Sequence, residues 1–330
     1  MHRFIVGTGR CGSTLLSRML AENPQTLSIF EYFNGLDVFR RFSPGKASGA
    51  EFAALISAEQ QVVTAVLRRG YDVEEITYPF ESGGRYRRGE ALPWILVSML
   101  PRLSQEPDAL FDEVVRFAEG LPEQTMVAHH VALFEWLCRR LGRTHWIERA
   151  GSSIDYLGAL AANFPDARFL HIHRDGYEAA LSMRGHHAYR LPIALMYRAH
   201  DGTSPPISAI DFGIEPTPAD PISEILASEP PIAYYGRYWS DQVVHGFDAL
   251  REIEPAHYRE IRFEDLLASP REILAEICDF FGLAGRGRPW LDSAVALFGA
   301  PPQRRFDTLS AVDQEILISA CRPGRALLGQ

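Results

Sequence analysis

Short apolar runs alternate with segments of helical spacing along most of the chain. The first run, Phe4–Gly7, is bounded by glycine and predicts a buried strand, and Ser13–Ala21 has the apolar spacing of a helix. Further strands are predicted at Leu27–Phe30, Thr125–His129, His145–Glu148, Arg168–His173 and Tyr258–Phe263. Strands that alternate with helices are typical of a parallel sheet with right-handed crossovers. The pattern therefore predicts an α/β fold in which helices flank a central parallel sheet.

Two stretches interrupt this alternation. Residues 36–123 are predicted to be mostly helical, and residues 185–240 contain a proline-rich part, Asp201–Pro231, with little periodicity. A connection of that length is usually functional or mobile, although a surface linker without a catalytic role is the alternative. We expect a single domain over residues 1–330, with a helical insertion at 36–123 and a variable excursion at 185–240. Helices of the insertion are predicted at Glu51–Arg68, Trp94–Leu103 and Ala109–Glu119.

The composition is that of an ordinary globular protein, with 46% hydrophobic and 23% charged residues. The formal net charge of −9 argues against nucleic acid as a partner, because such a partner usually needs a broad basic face. The four cysteines are scattered, so we expect no disulfide framework or zinc site and a reducing compartment. The first apolar stretch is too short for a secretory signal, and no run of about 18 apolar residues would span a membrane. These features predict a cytoplasmic protein.

A glycine-rich turn, Gly7–Thr14 with the letters GTGRCGST, joins the first strand to the first helix. Its spacing matches a phosphate-binding P-loop, G-x-x-x-x-G-K-[ST], except that Ser13 takes the place of the lysine. Such a turn points backbone N–H groups at an anion, and the following helix adds its positive end. The missing lysine would reach the β- and γ-phosphates of a nucleoside triphosphate, so kinase or ATPase chemistry is disfavoured. Arg10 is expected to supply the cationic contact instead.

The same turn contains a second pattern, G-x-G-x-x-G at Gly7, Gly9 and Gly12, which is typical of dinucleotide-binding folds. Such a site needs an acidic residue about 20 positions further on, at the end of a second strand. Glu31 stands close to that spacing. From the turn alone, a dinucleotide site and a purely structural turn therefore stay open beside the phosphate or sulfate cradle.

Two motifs resemble the sulfotransferases that use 3′-phosphoadenosine-5′-phosphosulfate (PAPS). Arg10–Leu16 (RCGSTLL) looks like their 5′-phosphosulfate loop, and Phe169–Met183 is similar to their 3′-phosphate segment, a strand that ends in Arg-Asp-Gly. In that segment a serine follows eight residues after the arginine, as Ser182 follows Arg174. The resemblance is closer to the tyrosylprotein and bacterial carbohydrate branches than to the cytosolic animal enzymes. It implies a P-loop-NTPase-like sulfotransferase fold.

The resemblance also implies a reaction and a set of site residues. The reaction would be in-line, metal-independent transfer of a sulfuryl group from PAPS to a hydroxyl or amine, which leaves 3′-phosphoadenosine-5′-phosphate (PAP). Glu31 begins a Glu-Tyr-Phe segment like that of bacterial sulfotransferases and is the first candidate for the general base. Arg10 and Arg149 are the candidates for stabilising charge. The implied PAPS-binding residues are Gly9, Arg10, Cys11, Gly12, Ser13, Thr14, Arg174 and Ser182.

Several alternatives remain at this stage. His129 and His130 are rival candidates for the base, because a histidine after a strand can accept a proton near neutral pH. The C-terminal arginines that stand in for the family's last phosphate contacts are Arg286, Arg288, Arg304 and Arg305, without a choice among them. The acceptor, expected between the insertion and the excursion, is a sugar, phenol, lipid-like alcohol or natural product. A P-loop phosphotransferase and a non-catalytic nucleotide-binding protein are the competing functions, and the oligomeric state is undetermined.

Overall fold

A computed structural model of the chain describes residues 1–283, 289–299 and 303–330. Its strands are β1 (Arg3–Val6), β2 (Thr26–Phe30), β3 (Lys46–Ala47), β4 (Gln124–Thr125), β5 (His145–Arg149), β6 (Arg168–His173) and β7 (Tyr258–Arg262). Strands β3 and β4 pair with each other in antiparallel fashion, whereas the longer strands form one parallel sheet in the order β2-β5-β1-β6-β7. The sheet confirms the predicted fold class.

Helices account for most of the remaining chain. They are α1 (Ser13–Ala21), α2 (Gly49–Ile56), α3 (Gln61–Arg68), α4 (Trp94–Val97), α5 (Leu100–Leu103), α6 (Pro107–Glu119), α7 (Met126–Arg140), α8 (Leu157–Asn163), α9 (Gly176–Gly185), α10 (His187–His200), α11 (Pro221–Ala227), α12 (Ile232–Leu250), α13 (Phe263–Ala268), α14 (Pro270–Phe281), α15 (Pro289–Ala296) and α16 (Ala311–Leu327). No helix in the described ranges has the length and hydropathy needed to cross a membrane.

Hydrophobic side chains cover both faces of the parallel sheet. Alternate residues of a strand point to opposite faces, and the central strand β1 divides its side chains accordingly. Phe4 and Val6 pack into the larger core, which includes residues of α2, α6 and α7. Ile5 packs into a second core with α1 and α14. Burial on both faces explains why the central strand β1 has a continuous apolar run, Phe4–Val6.

The carboxyl ends of the strands meet at one edge of the sheet, where open α/β sheets bind their ligands. Strand β1 leads there into the loop that begins at Gly7, β2 is followed by Glu31, and β5 ends with Arg149. At the same edge, β6 is followed by Arg174 and β7 by Phe263. Parallel pairing therefore gathers residues that are far apart in sequence.

The prediction of a strand at Thr125–His129 is wrong. Helix α7 begins at Met126, and the side chain of Thr125 caps it by accepting a hydrogen bond from the backbone N–H of Ala128 at 3.2 Å. Periodicity alone does not separate a short apolar strand from the start of a buried helix. His129 and His130 consequently lie inside a helix and not after a strand.

The excursion contains regular structure that its sequence did not predict. Helix α10 precedes the proline-rich part and α11 lies within it. Asp220 caps α11 and also forms a buried ion pair with Arg69 at 2.8 Å, which ties the excursion to the helical insertion. The predicted helix Glu51–Arg68 is divided into α2 and α3, because the side chain of Gln60 accepts a hydrogen bond from Val63 N–H at 2.8 Å and starts a new helix.

Candidate active site

The loop between β1 and α1 has the left-handed backbone that its glycines suggest. The φ angle is 77° at Gly9 and 89° at Gly12, a region that glycine adopts without strain. A Cβ atom at Gly12 would also lie only 2.0 Å from the ring of Phe263 at the end of β7. Glycine at this position lets the loop approach the neighbouring strand end, and it forms the floor of a cavity.

This cavity, the large cavity, has a volume of about 470 Å³ and opens at the carboxyl edge of the sheet. The predicted site residues that line it are Gly9, Arg10, Gly12, Ser13, Thr14, Glu31, Arg149, Arg174 and Ser182. Among the predicted PAPS-binding residues Cys11 is the exception, since its side chain is fully buried in the core with residues of α1 and burial raises the pKa of its thiol. The two predicted motifs, Arg10–Leu16 and Phe169–Met183, thus contribute to one cavity, although strands β2 to β5 lie between them in the sequence.

Glu31 and Arg149 form a buried ion pair at the floor of the large cavity. The other Glu31 carboxylate oxygen accepts the backbone N–H of Gly151 at 2.9 Å. The Arg149 guanidinium also donates to the Thr14 hydroxyl at 3.2 Å and stacks 3.6 Å from the ring centre of Phe30. A carboxylate, a guanidinium and the first turn of α1 are therefore held together in fixed positions.

Backbone strain is concentrated around this pair. The non-glycine residues with positive φ in the described part of the chain are Arg10, Glu31 and Ser152, at 52°, 53° and 54°. Each lines the large cavity or the smaller cavity beside it. Side chains other than glycine adopt this backbone at a cost of about 1–3 kcal/mol, and such positions cluster at functional sites. The strain marks the same place as the motifs, independently of them.

Arg10 is engaged by two carboxylates from the segment between α3 and α4 (residues 69–93, the α3–α4 segment). It contacts Glu74 at 2.8 Å and Glu75 at 3.1 Å, and its Nε donates to the Ser182 hydroxyl at 3.0 Å. Burial alone would lower the pKa of Arg10, but the charges of Glu75 and Glu74 outweigh it and raise the pKa. The cation predicted for the loop is therefore neutralised in this structure.

Glu75 has a second partner, because its other oxygen lies 2.7 Å from Nε2 of the buried His186. Burial raises the pKa of Glu75, but the hydrogen bond and charge of His186 and the charge of Arg10 lower it to about 2. Glu75 is thus ionised at neutral pH, in a cavity otherwise rich in arginine.

The predicted 3′-phosphate arginine, Arg174, also lines the large cavity. Its guanidinium is 5.4 Å from the ring centre of Phe263 and 3.9 Å from Glu178, and burial lowers its pKa. Arg305 approaches the same Glu178 carboxylate at 3.6 Å, so two arginines flank one acidic side chain.

Arg304, another of the C-terminal candidates, is not near Arg174. Arg304 pairs with Asp307 at 3.2 Å and both side chains are exposed. Arg286 and Arg288 lie outside the described residues. Of the two C-terminal candidates within the described residues, Arg305 is the one that lies near Arg174.

A smaller cavity of about 180 Å³ adjoins the large one. In the described ranges, the residues that line both are Glu31, Glu75 and Tyr189. The insertion contributes an apolar wall made of Val62, Val63, Val73, Trp94 and Val97, and the excursion contributes His186, Ala188, Pro192 and Tyr238. Both regions expected to line an acceptor site therefore do border one cavity.

His129 and His130 line neither cavity, so the alternative assignment of the base to them is not supported by the fold. Both are fully buried in α7. Nε2 of His129 lies 2.8 Å from the Ala47 carbonyl, and the two ring nitrogens of His130 lie 2.8 Å from the Tyr32 hydroxyl and the Arg41 carbonyl. Burial lowers the pKa of His130 to about 3, so it stays neutral. These histidines pack the core between α7 and the insertion.

Arg102, Glu75 and Tyr189 are site residues that sequence reasoning did not assign. The Arg102 guanidinium lies 4.0 Å from the ring centre of Phe30, the ring on which Arg149 also stacks, and it lines the large cavity. No carboxylate among the described residues pairs with Arg102. No local pattern marked these positions, because each belongs to the insertion or the excursion and reaches the site only through tertiary packing.

Comparison with known protein families agrees with the motifs. Residues 101–195 match the model of the sulfotransferase family. This stretch contains Arg149, Arg174, Ser182 and Tyr189 but not the glycine-rich loop. The predicted resemblance to sulfotransferases is thereby confirmed over these residues. No curated protein sequence matches the chain.

Solved sulfotransferase structures are similar along nearly the full chain. The sulfotransferase domain from the curacin biosynthetic pathway is 14% identical, with 100% of this chain and 98% of that chain covered and a TM-score of 0.49. Sulfotransferase STF9 from Mycobacterium avium is 16% identical, with 99% and 75% covered and a TM-score of 0.45. Sulfotransferase STF1 from Mycobacterium tuberculosis H37Rv is 14% identical, with 97% and 76% covered and a TM-score of 0.43. The function proposed below rests on the family-model match and on the geometry of the site.

Proposed function

We propose that the protein is a sulfotransferase that moves the sulfuryl group of PAPS to a hydroxyl or amine of a small-molecule acceptor. The observation that carries the proposal is the convergence of a P-loop-like turn without its lysine and the Arg174–Ser182 pair on one cavity. A volume of about 470 Å³ falls in the range of sites for ligands of nucleotide size. The cavity thus has anion-binding groups for both ends of such a donor.

The donor would lie across the cavity from the loop to β6. The backbone of Gly9–Thr14 and the N-terminus of α1 would hold the 5′-phosphosulfate, since helix N-termini attract anions. Arg174 and Ser182, with Arg305 beside them, would hold the 3′-phosphate. Arg10 would exchange its two carboxylates for donor oxygens, because one guanidinium forms paired hydrogen bonds with either group.

In the proposed reaction, the hydroxyl oxygen or amine nitrogen of the acceptor forms a bond to sulfur while the bond from sulfur to the 5′-phosphate oxygen breaks. PAP leaves with the electron pair of that bond, and the acceptor proton passes to the Glu31 carboxylate. Such transfers have a loose transition state whose charge spreads over the equatorial oxygens. Arg149, Thr14 and the loop N–H groups would stabilise that charge, since they are already held in place.

The acceptor would enter the smaller cavity, whose shared wall includes Glu31. Its volume of about 180 Å³ is close to the roughly 150 Å³ of an apolar cavity that holds benzene. Valine and tryptophan side chains form one wall. We therefore propose that the part of the acceptor next to the reacting hydroxyl is compact, about one ring wide and mostly apolar.

A calorimetric titration tests the donor assignment. PAP is expected to bind without Mg²⁺, whereas AMP and ATP are expected to bind much more weakly, because Arg174 and Ser182 recognise a 3′-phosphate. Arg174→Ala should bring the affinity for PAP down to that for AMP, and Arg304→Ala, on the surface, is the matched control. Equal affinities of the unaltered protein for PAP and AMP would refute the assignment, and Mg²⁺-dependent ATP binding would favour a phosphotransferase.

A further inference from the structure

Tyr189 lies on the wall that separates the large cavity from the smaller one. It belongs to α10 and lines both cavities, as Glu31 and Glu75 do. Its ring packs edge-on against His186, with ring centres 5.5 Å apart. His186 is in turn held by Glu75 at 2.7 Å. The position of the Tyr189 ring is therefore fixed by a chain of contacts that begins in the α3–α4 segment.

Two glycines make room for the Tyr189 hydroxyl. A Cβ atom at Gly9 of the loop would lie 1.9 Å from the hydroxyl oxygen, and a Cβ atom at Gly151 would lie 2.6 Å from it. Distances under about 3 Å are not tolerated between such atoms, so any side chain at either position would displace the phenol. The same Cβ at Gly151 would lie 3.3 Å from a carboxylate oxygen of Glu31. The hydroxyl thus sits between the proposed donor loop and the proposed base.

The hydrogen bonds around Tyr189 give its hydroxyl proton no carbonyl or carboxylate acceptor in the described ranges. Tyr238 donates to the hydroxyl of Ser152 at 3.2 Å. Ser152 has two acceptors within reach, the Thr8 carbonyl at 3.3 Å and the Tyr189 oxygen at 3.5 Å. The single Ser152 proton reaches one of these acceptors at a time, and no carbonyl or carboxylate in the described ranges accepts the Tyr189 proton. Burial and the nearby charge of Glu31 raise the pKa of Tyr189 well above its usual value, so the proton stays on the phenol.

We propose that Tyr189 is a further catalytic residue, whose hydroxyl donates a hydrogen bond to an oxygen of the sulfuryl group during transfer. The inference depends on the proposed sulfotransferase function. The Tyr189 hydroxyl lies beside Gly9 and Gly151. A sulfuryl group that is held by the loop and faces Glu31 would therefore lie close to this hydroxyl. A fixed donor aimed at an oxygen that gains charge in the transition state accelerates the step without moving a proton itself.

Tyr189→Phe tests the inference, since it removes the hydroxyl and keeps the ring. The kcat of PAPS-dependent transfer is expected to fall between about tenfold and a thousandfold, the range for loss of one transition-state donor. The Kd of PAP, the KM of the acceptor and the melting temperature should change little. Slow hydrolysis of PAPS without acceptor should fall as well, because the sulfuryl group moves in that reaction too. Tyr197→Phe is the matched control, because Tyr197 lies on the same helix, donates its hydroxyl proton to Asp241 at 2.6 Å and lines neither cavity, and it should change kcat less than about threefold.

Gly151→Ala provides a second test, because it keeps the Tyr189 hydroxyl but displaces it from its position beside Gly151. In the unaltered protein it should lower kcat, and in the Tyr189→Phe background it should lower kcat much less, because the clash is gone. Such non-additivity identifies residues that act together.

A raised acceptor KM with unchanged kcat in Tyr189→Phe would overturn the inference and make Tyr189 a wall of the acceptor cavity. Equal effects of Gly151→Ala in both backgrounds would overturn it as well. Failure of the unaltered protein to bind PAP or to transfer sulfate would instead refute the proposed function, so the two failures are distinguishable.

Discussion

The carboxyl edge of the sheet and the α3–α4 segment both bring carboxylates to the large cavity, but they hold them differently. Glu31, at the edge, is 6% exposed, and its backbone N–H donates to the Arg149 carbonyl at 2.7 Å. The indole of Trp94 donates to the Glu31 carbonyl at 2.5 Å. The Glu74 side chain, on the segment, is 71% exposed and contacts only Arg10 among described ion-pair partners.

Glu31 is therefore held in one position before any ligand binds, whereas the contact of Glu74 with Arg10 can be replaced by a ligand. Edge residues are fixed by strand register and buried bonds, so their geometry persists when ligands come and go. An exposed ion pair contributes about 0–1 kcal/mol and is weakened by salt, so an anionic ligand can replace it. The edge therefore suits catalysis, and the segment suits the control of access to Arg10.

The largest expected effect is that of replacing the fixed carboxylate. Glu31→Gln should leave PAP binding intact and lower transfer at least about tenfold, toward the 10²–10⁴-fold range of a lost general base. Asp72→Asn is the matched control on the segment, because Asp72 forms an exposed ion pair with Arg88. Its turnover should stay within about twofold. Turnover of Glu31→Gln equal to that of the unaltered, equally folded protein would assign the base to another group, with Glu75 the next carboxylate that lines both cavities.

The next effect concerns how stability depends on pH, because the pKa of a carboxylate in β5 and that of a carboxylate on the α3–α4 segment are shifted in opposite directions. Burial raises the pKa of Glu148 in β5 to about 8, whereas the pKa of Glu75 on the segment is lowered to about 2. Glu148 is protonated more readily when folded, so stability falls as pH rises from the unfolded pKa, near 4.5, through about 8. Glu75 contributes stability above pH 4.5 that is lost as pH falls toward 2.

Urea unfolding of Glu148→Gln measures this contrast. The substitution removes the titrating group, so between pH 5 and pH 9 the free energy of unfolding of the variant should rise relative to that of the unaltered protein, by on the order of 4 kcal/mol at the upper end. The free energy of unfolding of Glu75→Gln should fall furthest below that of the unaltered protein at neutral pH, and the difference should be smaller near pH 3. Parallel pH curves for Glu148→Gln and the unaltered protein would show that Glu148 titrates normally.

The smallest expected effect concerns the proposed replacement of the carboxylates on Arg10 by oxygens of the donor. Glu75→Gln removes a negative charge that contacts Arg10 at 3.1 Å, so PAP should bind more tightly, by about threefold to tenfold at low ionic strength. Glu81→Gln, an exposed carboxylate of the same segment, is the control and should shift the Kd less than about twofold. Calorimetry at two salt concentrations measures both. Weaker PAP binding in Glu75→Gln would mean that Glu75 positions Arg10 and does not compete with the donor.

The elements around the candidate site that sequence analysis predicted are those with a local pattern. The strand, glycine loop and helix around Gly7–Thr14 and the strand that ends before Arg174 each depend on neighbouring residues, which set hydrophobic period and backbone freedom. The α/β class follows from the order of such elements. His129 and His130 were misplaced because an apolar run beside a helix cap has the same pattern as a strand.

Other features depend on residues that are distant along the chain. The left-handed backbone of Glu31 is held by Arg149, Gly151 and Trp94, which no spacing rule connects to it. The pairing of Arg10 with Glu74 and Glu75 likewise requires the fold of the insertion.

The sequence by itself therefore determined the parallel sheet, the glycine-rich turn between β1 and α1, and the strand that ends before Arg174. Tertiary structure alone decided which groups face each other at the large cavity. It buried the two histidines, brought Glu31 against Arg149, and placed the Tyr189 hydroxyl in the space above Gly9 and Gly151. The physical reason is that periodicity and turn propensity act over a few residues. Ion pairs, strained backbone and steric fit arise only when the parallel strands have brought distant residues to one edge.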